Sequence, residues 1–160
     1  MSRELREEVE LELAMLRRHL ETFATLRQEV ELREPDAVET MALAGMLQSF
    51  YNGVENIFKR VAVHCDGGPP SGGAWHRRLL ASMADRGVKR LAVISEEFAR
   101  ELEGYLDFRH VFRGAYGFEL RWRRMATLVK GCEGTLNGLE EELTAFFKAR
   151  ETGGRQGGLP

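Results

Sequence analysis

The sequence predicts an all-α protein, an up-and-down bundle of four long helices plus one short helix. Through most of the chain, apolar residues recur three and four positions apart, as on the buried face of an amphipathic helix. No segment alternates apolar and polar residues as a half-buried strand does. With 160 residues the chain is most simply one domain. We expect a helical bundle over residues 1–150 and a flexible, Gly-rich tail over residues 151–160.

The first two helices are predicted from their apolar stripes. Residues 2–33 form one long helix, and Pro35 fits the first turn of a second helix that ends near Val63. A short connection between two long helices predicts that they pack antiparallel. The expected buried positions are Leu5, Val9, Leu13, Leu16, Leu20, Phe23 and Val30 on the first helix, and Val38, Leu43, Leu47, Phe50, Val54, Ile57 and Val61 on the second.

A loop and a short helix follow. Residues 65–73 are rich in Gly and Pro and break regular structure. They lack the Gly-Lys pattern of a phosphate-binding loop, so we expect a flexible connection. Residues 75–85 predict the short helix, and Ser95 is a candidate N-cap for the next long one.

The fourth and fifth helices are separated by glycines. Gly114 and Gly117 each weaken a helix, which predicts a break between Arg113 and Leu120. The last helix runs from about Leu120 to Arg150 on a heptad-like stripe. Its adjacent face carries Gly131, Gly134 and Gly138, which indicates either the close approach of another helix or chance placement.

Charge and composition exclude several classes of protein. The formal net charge of −2 gives no global reason to expect binding to nucleic acid or membranes. There is no signal-like N-terminus and no apolar run long enough to span a membrane, so we expect a cytoplasmic protein. In that compartment Cys65 and Cys132 should be free thiols.

Residues 105–120 contain the densest concentration of candidate functional side chains. At helical spacing Arg109 shares a face with Phe112 and Arg113, so an arginine interrupts an otherwise apolar stripe. A buried unpaired arginine is very costly, and Arg109 must therefore meet a carboxylate, carbonyl groups or a phosphate-like ligand. One interpretation is a structural ion pair with Asp107 or with a glutamate of the first helix. The other is an anion site, because a guanidinium forks onto phosphate oxygens.

Other candidate sites are less specific. The basic side chains from Arg113 to Lys130 suit either an RNA backbone or a solvated helix face; the RNA-binding candidates are Arg109, Arg113, Arg121 and Arg124. His64, Cys65 and His76 lack a paired zinc-ligand motif, so we predict no metal and no cofactor. We expect Trp75 and His76 to anchor the short helix.

The segment Arg109-His-Val-Phe-Arg-Gly-Ala-Tyr116, on the penultimate long helix of a small helical protein, resembles the HEPN superfamily, specifically HepT-like toxins. The segment Trp75-His-x-x-Leu-Leu80 and the helix layout extend the resemblance over most of the chain. The resemblance implies a metal-independent endoribonuclease toxin that forms a homodimer, with two Arg-x4–6-His motifs facing one RNA cleft. It also implies a partner, a minimal nucleotidyltransferase antitoxin encoded nearby, which transfers AMP to the motif tyrosine.

By this resemblance Arg109 would contact the scissile phosphate, His110 takes the polar position after it, and Tyr116 is the AMP acceptor. Gly114 stands where the motif histidine belongs. Glycine cannot transfer a proton, and Arg113 stays charged and could only stabilise the transition state. We therefore expect impaired catalysis. Three interpretations remain: an inactivated toxin, an enzyme that uses His110 instead, or a non-enzymatic binding subunit of a nucleotidyltransferase.

Overall fold

The computed structural model describes residues 2–114, 116 and 119–155. Within those ranges it contains six helices and no strand. They are α1 (Ser2–Thr22), α2 (Ala24–Glu29), α3 (Ala37–Cys65), α4 (Trp75–Ala84), α5 (Glu96–Gly114) and α6 (Trp122–Arg155). The all-α prediction is confirmed, but the prediction of four long helices and one short helix is wrong, because two of the helices are short.

The additional short helix arises from a break at Phe23. We predicted one helix over residues 2–33, yet the chain leaves helical geometry at Phe23, with φ −101° and ψ 8°. The carbonyl of Leu20 accepts the N–H of Phe23 at 3.2 Å. It also accepts the Nη2 of Arg27 at 3.0 Å. The arginine side chain thus gives a carbonyl at the end of α1 a second donor, which stabilises the break between α1 and α2.

Helix α3 is the central element, since it packs against α1, α4, α5 and α6. We predicted that Pro35 lies in the first turn of this helix, but α3 begins at Ala37 and Asp36 is its N-cap. The Asp36 carboxylate accepts the N–H of Glu39 at 2.8 Å. Glu39 in turn accepts the N–H of Asp36 at 2.9 Å, completing a capping box. Contacts between His19 and Met46 and between Glu8 and Arg60 confirm that α1 and α3 are antiparallel.

Helices α5 and α6 pack antiparallel across a polar and an aromatic contact. Ser95 is the predicted N-cap, and its Oγ accepts the N–H of Phe98 at 3.1 Å. Tyr105 donates its hydroxyl to the Leu128 carbonyl at 3.1 Å. On the glycine face of α6, a Cβ at Gly138 would lie only 3.0 Å from the Phe98 ring, whereas one at Gly134 would meet nothing within 4 Å. Close approach therefore explains one of the three glycines.

The predicted break after Arg113 is confirmed, because α5 ends at Gly114 and α6 begins at Trp122. Ala115, Gly117 and Phe118 lie outside the described residues, as do residues 156–160 of the expected tail. Helix α6 continues to Arg155, five residues beyond its predicted end. Both cysteines are free, as predicted. Among the described residues no helix is long and apolar enough to cross a membrane.

The connection between α4 and α5 is held by Arg90, whose side chain is 2% exposed. Its guanidinium donates to both carboxylate oxygens of Asp66 at 2.8 Å. It also donates to the carbonyls of Ser82, Asp85 and Leu91, at 3.0 to 3.1 Å. One side chain therefore joins the end of α3, the end of α4 and the chain leading to α5.

The capping box predicts a specific acid sensitivity. Hydrogen bonds from Arg33 and from the Asp36 backbone lower the pKa of Glu39 from 4.5 to about 2. Because the folded-state pKa lies below the unfolded one, the charged carboxylate stabilises the fold above pH 4.5, and this contribution is lost as the pH falls toward 2. Urea midpoints of Glu39→Gln should lie below those of the parent protein at neutral pH and approach them in acid. The control Glu31→Gln, at an exposed position, should show no such convergence.

Candidate functional site

A buried carboxylate, a histidine and an arginine from three helices meet beside α5. Glu55 on α3 has a side chain that is 4% exposed, and its Oε2 lies 2.6 Å from the Nδ1 of His76 on α4. The same oxygen lies 3.5 Å from the Nη1 of Arg109, whose side chain is 13% exposed. The Nη1 of Arg109 is also 3.0 Å from the His76 Nδ1. We call Glu55, His76 and Arg109 the central cluster.

The helices hold each member of the central cluster in place. One turn along α3 from Glu55, the Nζ of Lys59 lies 3.7 Å from the other carboxylate oxygen. Lys59 also lies 4.7 Å above the Trp75 ring, which stacks on the His76 ring at 3.6 Å between centroids. Tyr51, one turn before Glu55 on α3, is buried. Its burial is the main cause that raises the pKa of its phenol, and the charge of Glu55 raises it further. The imidazole and the carboxylate are thereby fixed by packing on several sides.

The central cluster opens onto a cavity of about 480 Å³. Its lining is dominated by nitrogen-bearing side chains, with Arg109, His110 and Arg113 from α5 facing His76 and Arg77 from α4. Asp107 is paired with Arg77 at the exposed surface. The carboxylate that balances Arg109 does not line the cavity and belongs to the buried Glu55. Such a lining suits an anionic ligand, since three guanidinium groups surround it.

The remaining predicted site residues fall into two groups. Gly114 is the last residue of α5, and a Cβ placed there would meet nothing within 4 Å among the described residues. Tyr116 follows shortly after, with 70% of its surface exposed. Arg121 and Arg124 line a different cavity of about 240 Å³ between α5 and α6. The structure thus joins Arg109, His110 and Arg113 around one cavity and keeps Arg121 and Arg124 apart from them.

The residues weighed as zinc ligands lie in separate environments. The Nε2 of His64 lies 3.3 Å from Glu8 on α1, and the Cys65 thiol accepts a hydrogen bond from Arg150 on α6. His76 belongs to the central cluster. The part of the chain that the structure describes contains no group of three or more His, Cys, Asp or Glu residues arranged to hold a metal ion.

Residues 42–150 match the model of a family described as HepT-like protein, and the match includes Glu55, His76, Arg109, Gly114 and Tyr116. The chain belongs to the HepT-like protein family. No curated protein and no solved structure matches it. The matched range of this HepT-like chain begins inside α3, so α1 and α2 lie outside it.

In this HepT-like chain, neither the role of Glu55 nor the proximity of His76 to Arg109 was predicted from sequence. One of the two interpretations of Arg109 was an ion pair with Asp107 or a glutamate of the first helix. Those partners are wrong, because Arg109 pairs with Glu55 and Asp107 pairs with Arg77. The sequence signal was present: Glu55 follows Val54 directly on the buried side of α3. His76 does anchor α4 as expected, but it does so by binding the carboxylate that holds Arg109.

The burial of Glu55 predicts a large effect of its removal. Glu55→Gln leaves Arg109 in the protein interior without a counter-charge, which should lower the free energy of unfolding by about 3 kcal/mol. Chemical denaturation of the parent and the variant measures this difference. Glu141→Gln, a matched change at an exposed position of α6, should cost less than about 0.5 kcal/mol. Equal costs for the two variants would contradict a structural role for the central cluster.

Proposed function

We propose that this HepT-like protein is an RNA-directed toxin of a toxin–antitoxin pair, an endoribonuclease of the HEPN type, and that its activity is weakened by Gly114. Its antitoxin is a nucleotidyltransferase encoded nearby. RNA binds in the cavity lined by Arg109, His110 and Arg113, and Arg109 contacts the scissile phosphate. The family membership supports the toxin class, and the chemistry of the cavity supports the RNA phosphate as its ligand.

The observation that carries this proposal is the way Arg109 is held. Glu55 lies behind the guanidinium and is almost fully buried, so it fixes the arginine without entering the cavity. An arginine held in this way keeps a fixed orientation, and less conformational entropy is lost when it binds a phosphate. Arg113 adds further positive charge on the lining, whereas Arg77 is already paired with Asp107, and the added charge favours a polyanion over a neutral ligand.

Gly114 accounts for weak catalysis. In-line attack by an RNA 2′-hydroxyl requires removal of its proton, and a positioned general base typically contributes about 10²- to 10⁴-fold. Glycine has no group that can accept a proton. A Cβ added at Gly114 would meet nothing within 4 Å among the described residues, so a side chain can be introduced there.

We predict that Gly114→His raises the rate of RNA cleavage by about 100-fold, since it supplies a proton-transfer group in the family position. Cleavage of a defined single-stranded RNA under single-turnover conditions measures the change. Gly114→Ala is the matched control, because it adds a Cβ to α5 without an imidazole.

Arg113→Ala should weaken RNA binding and lower the salt dependence of the RNA affinity by about one phosphate contact. The matched variant Arg123→Ala, at an exposed position, should change neither.

The result also separates the proposed toxin from the competing class. A HepT-like subunit that only binds a nucleotidyltransferase would cleave no RNA with either glycine or histidine at position 114. In that case Arg113→Ala and Arg123→Ala would have the same negligible effect on RNA binding. Cleavage that rises with histidine and falls again with Arg109→Lys supports the nuclease, because lysine keeps the charge but not the forked geometry.

Tyr116 is the proposed acceptor of AMP. Of the three tyrosines, Tyr51 and Tyr105 are buried and Tyr116 is 70% exposed. In the transfer, the phenolic oxygen attacks the α-phosphorus of ATP, pyrophosphate leaves, and the phenolic proton passes to solvent. The added phosphate introduces negative charge two residues beyond the end of α5, close in sequence to Arg113, and would oppose RNA binding.

Incubation with the partner nucleotidyltransferase and ATP should add one AMP to the parent protein and none to Tyr116→Phe. Peptide mass spectrometry locates the modified residue. Modification of the Phe variant, or of another residue in the parent, would contradict the assignment.

The proposed homodimer is measured in parallel by light scattering, before and after modification. Part of the glycine face of α6 cannot serve as its interface, because Gly138 is already covered by Phe98.

A further inference from the structure

The imidazole of His76 is oriented by the same carboxylate that holds Arg109. It sits in the first turn of α4, after Ala74, whose backbone is left-handed with φ 55°. Its Nδ1 lies 2.6 Å from Glu55 Oε2. Its ring lines the cavity together with Arg109 and Arg113. A histidine is therefore present beside the proposed phosphate site, although not on the helix that carries the family motif.

The contacts of Nδ1 determine which nitrogen of His76 can accept a proton. Nδ1 cannot donate to the Glu55 carboxylate and accept from the Arg109 guanidinium at the same time. The Glu55 contact at 2.6 Å is shorter than the Arg109 contact at 3.0 Å, so we infer that Nδ1–H donates to Glu55. The neutral ring then carries its lone pair on Nε2. Within the described residues Nε2 has no hydrogen-bond partner, so no described side chain competes for that lone pair. With Nδ1 protonated, Arg109 Nη1 at 3.0 Å has no acceptor on the imidazole, and it pairs instead with the shared Glu55 oxygen at 3.5 Å.

We propose that His76 is a catalytic residue of the RNA cleavage reaction and carries the residual activity that remains although Gly114 has no proton-transfer group. This inference rests on the proposed ribonuclease function. The Nε2 of His76 accepts the proton of the 2′-hydroxyl while a bond forms between the 2′-oxygen and phosphorus. The bond between phosphorus and the 5′-oxygen breaks, and the leaving oxygen takes a proton from water. The products are a 2′,3′-cyclic phosphate and a 5′-hydroxyl end.

The roles of the other two cluster residues follow from this arrangement. Arg109 binds the phosphate oxygens on which charge develops. Glu55 is a positioning residue, because it fixes the tautomer of His76 and the orientation of Arg109 through the same oxygen. The stack of Trp75 on His76 restricts rotation of the imidazole.

Single-turnover cleavage by His76→Gln tests the proposal in the parent chain. Glutamine keeps an N–H that can donate to Glu55, so the helix anchor is retained, but it cannot carry the proton. We expect the cleavage rate to fall by about 100-fold or more with RNA affinity unchanged within about twofold. His64→Gln is the matched control. In the parent, His64 also contacts a glutamate and is partly buried, but it does not line this cavity. It should cleave at the parent rate.

Rescue distinguishes proton transfer from a structural role. Added imidazole should restore cleavage to His76→Gly, and at fixed pH the rescued rate should increase with the basicity of a series of substituted imidazoles. The same additives should leave the slow cleavage by Arg109→Lys unchanged. A rescued cleavage rate that does not depend on the basicity of the added imidazole would show that His76 only positions its neighbours. That result would overturn the proposal.

The remaining outcomes also decide the matter. If His76→Gln cleaves at the parent rate, or if the parent is inactive and Gly114→His is active, the His76 proposal is overturned while the ribonuclease function stands. If neither the parent nor Gly114→His cleaves RNA, both are overturned. Loss of cleavage in His76→Gln with intact RNA binding, together with basicity-dependent rescue, supports both.

Discussion

The central cluster depends on one buried carboxylate. Glu55 is held inside the bundle by α3, and three side chains from three helices contact it: Lys59 from its own helix, His76 from α4 and Arg109 from α5. A buried charge is costly unless it is paired, so each contact that pairs Glu55 also restricts the position of a neighbour. The same carboxylate that holds the helices together therefore orients the groups that line the cavity.

Much of the fold could be predicted because helical periodicity is a local property. The apolar stripes of α3, α5 and α6 are visible in the sequence, and so are the N-cap at Ser95 and the break after Gly114. The end of α1 could not be predicted from the stripe, which continues past Phe23. At that end the Arg27 side chain reaches the Leu20 carbonyl, a contact that periodicity alone does not reveal.

The site was predictable in chemistry but not in pairing. An arginine on an apolar face must find a partner, and this argument singled out Arg109 correctly. Which carboxylate it meets depends on how α3, α4 and α5 pack, and Glu55 is far from Arg109 along the chain. His76 illustrates the same limit. Its neighbour Trp75 indicated an anchoring role, whereas its distance of 3.0 Å from the arginine is a property of the folded bundle alone.

The Arg90 contacts bear on how the chain can change in length. Since the Arg90 side chain binds Asp66, Ser82, Asp85 and Leu91 at once, the segment that leads from α4 to α5 has a fixed path. A residue inserted into that segment would displace α4 relative to α5 and separate His76 from Arg109. The loop that precedes α4 is different at Gly67 and Gly68, where a Cβ would meet nothing within 4 Å, although nearer to α4 Arg78 holds the carbonyl of Gly73. Insertions and deletions in relatives should therefore concentrate near Gly67 and Gly68 and avoid the segment after α4.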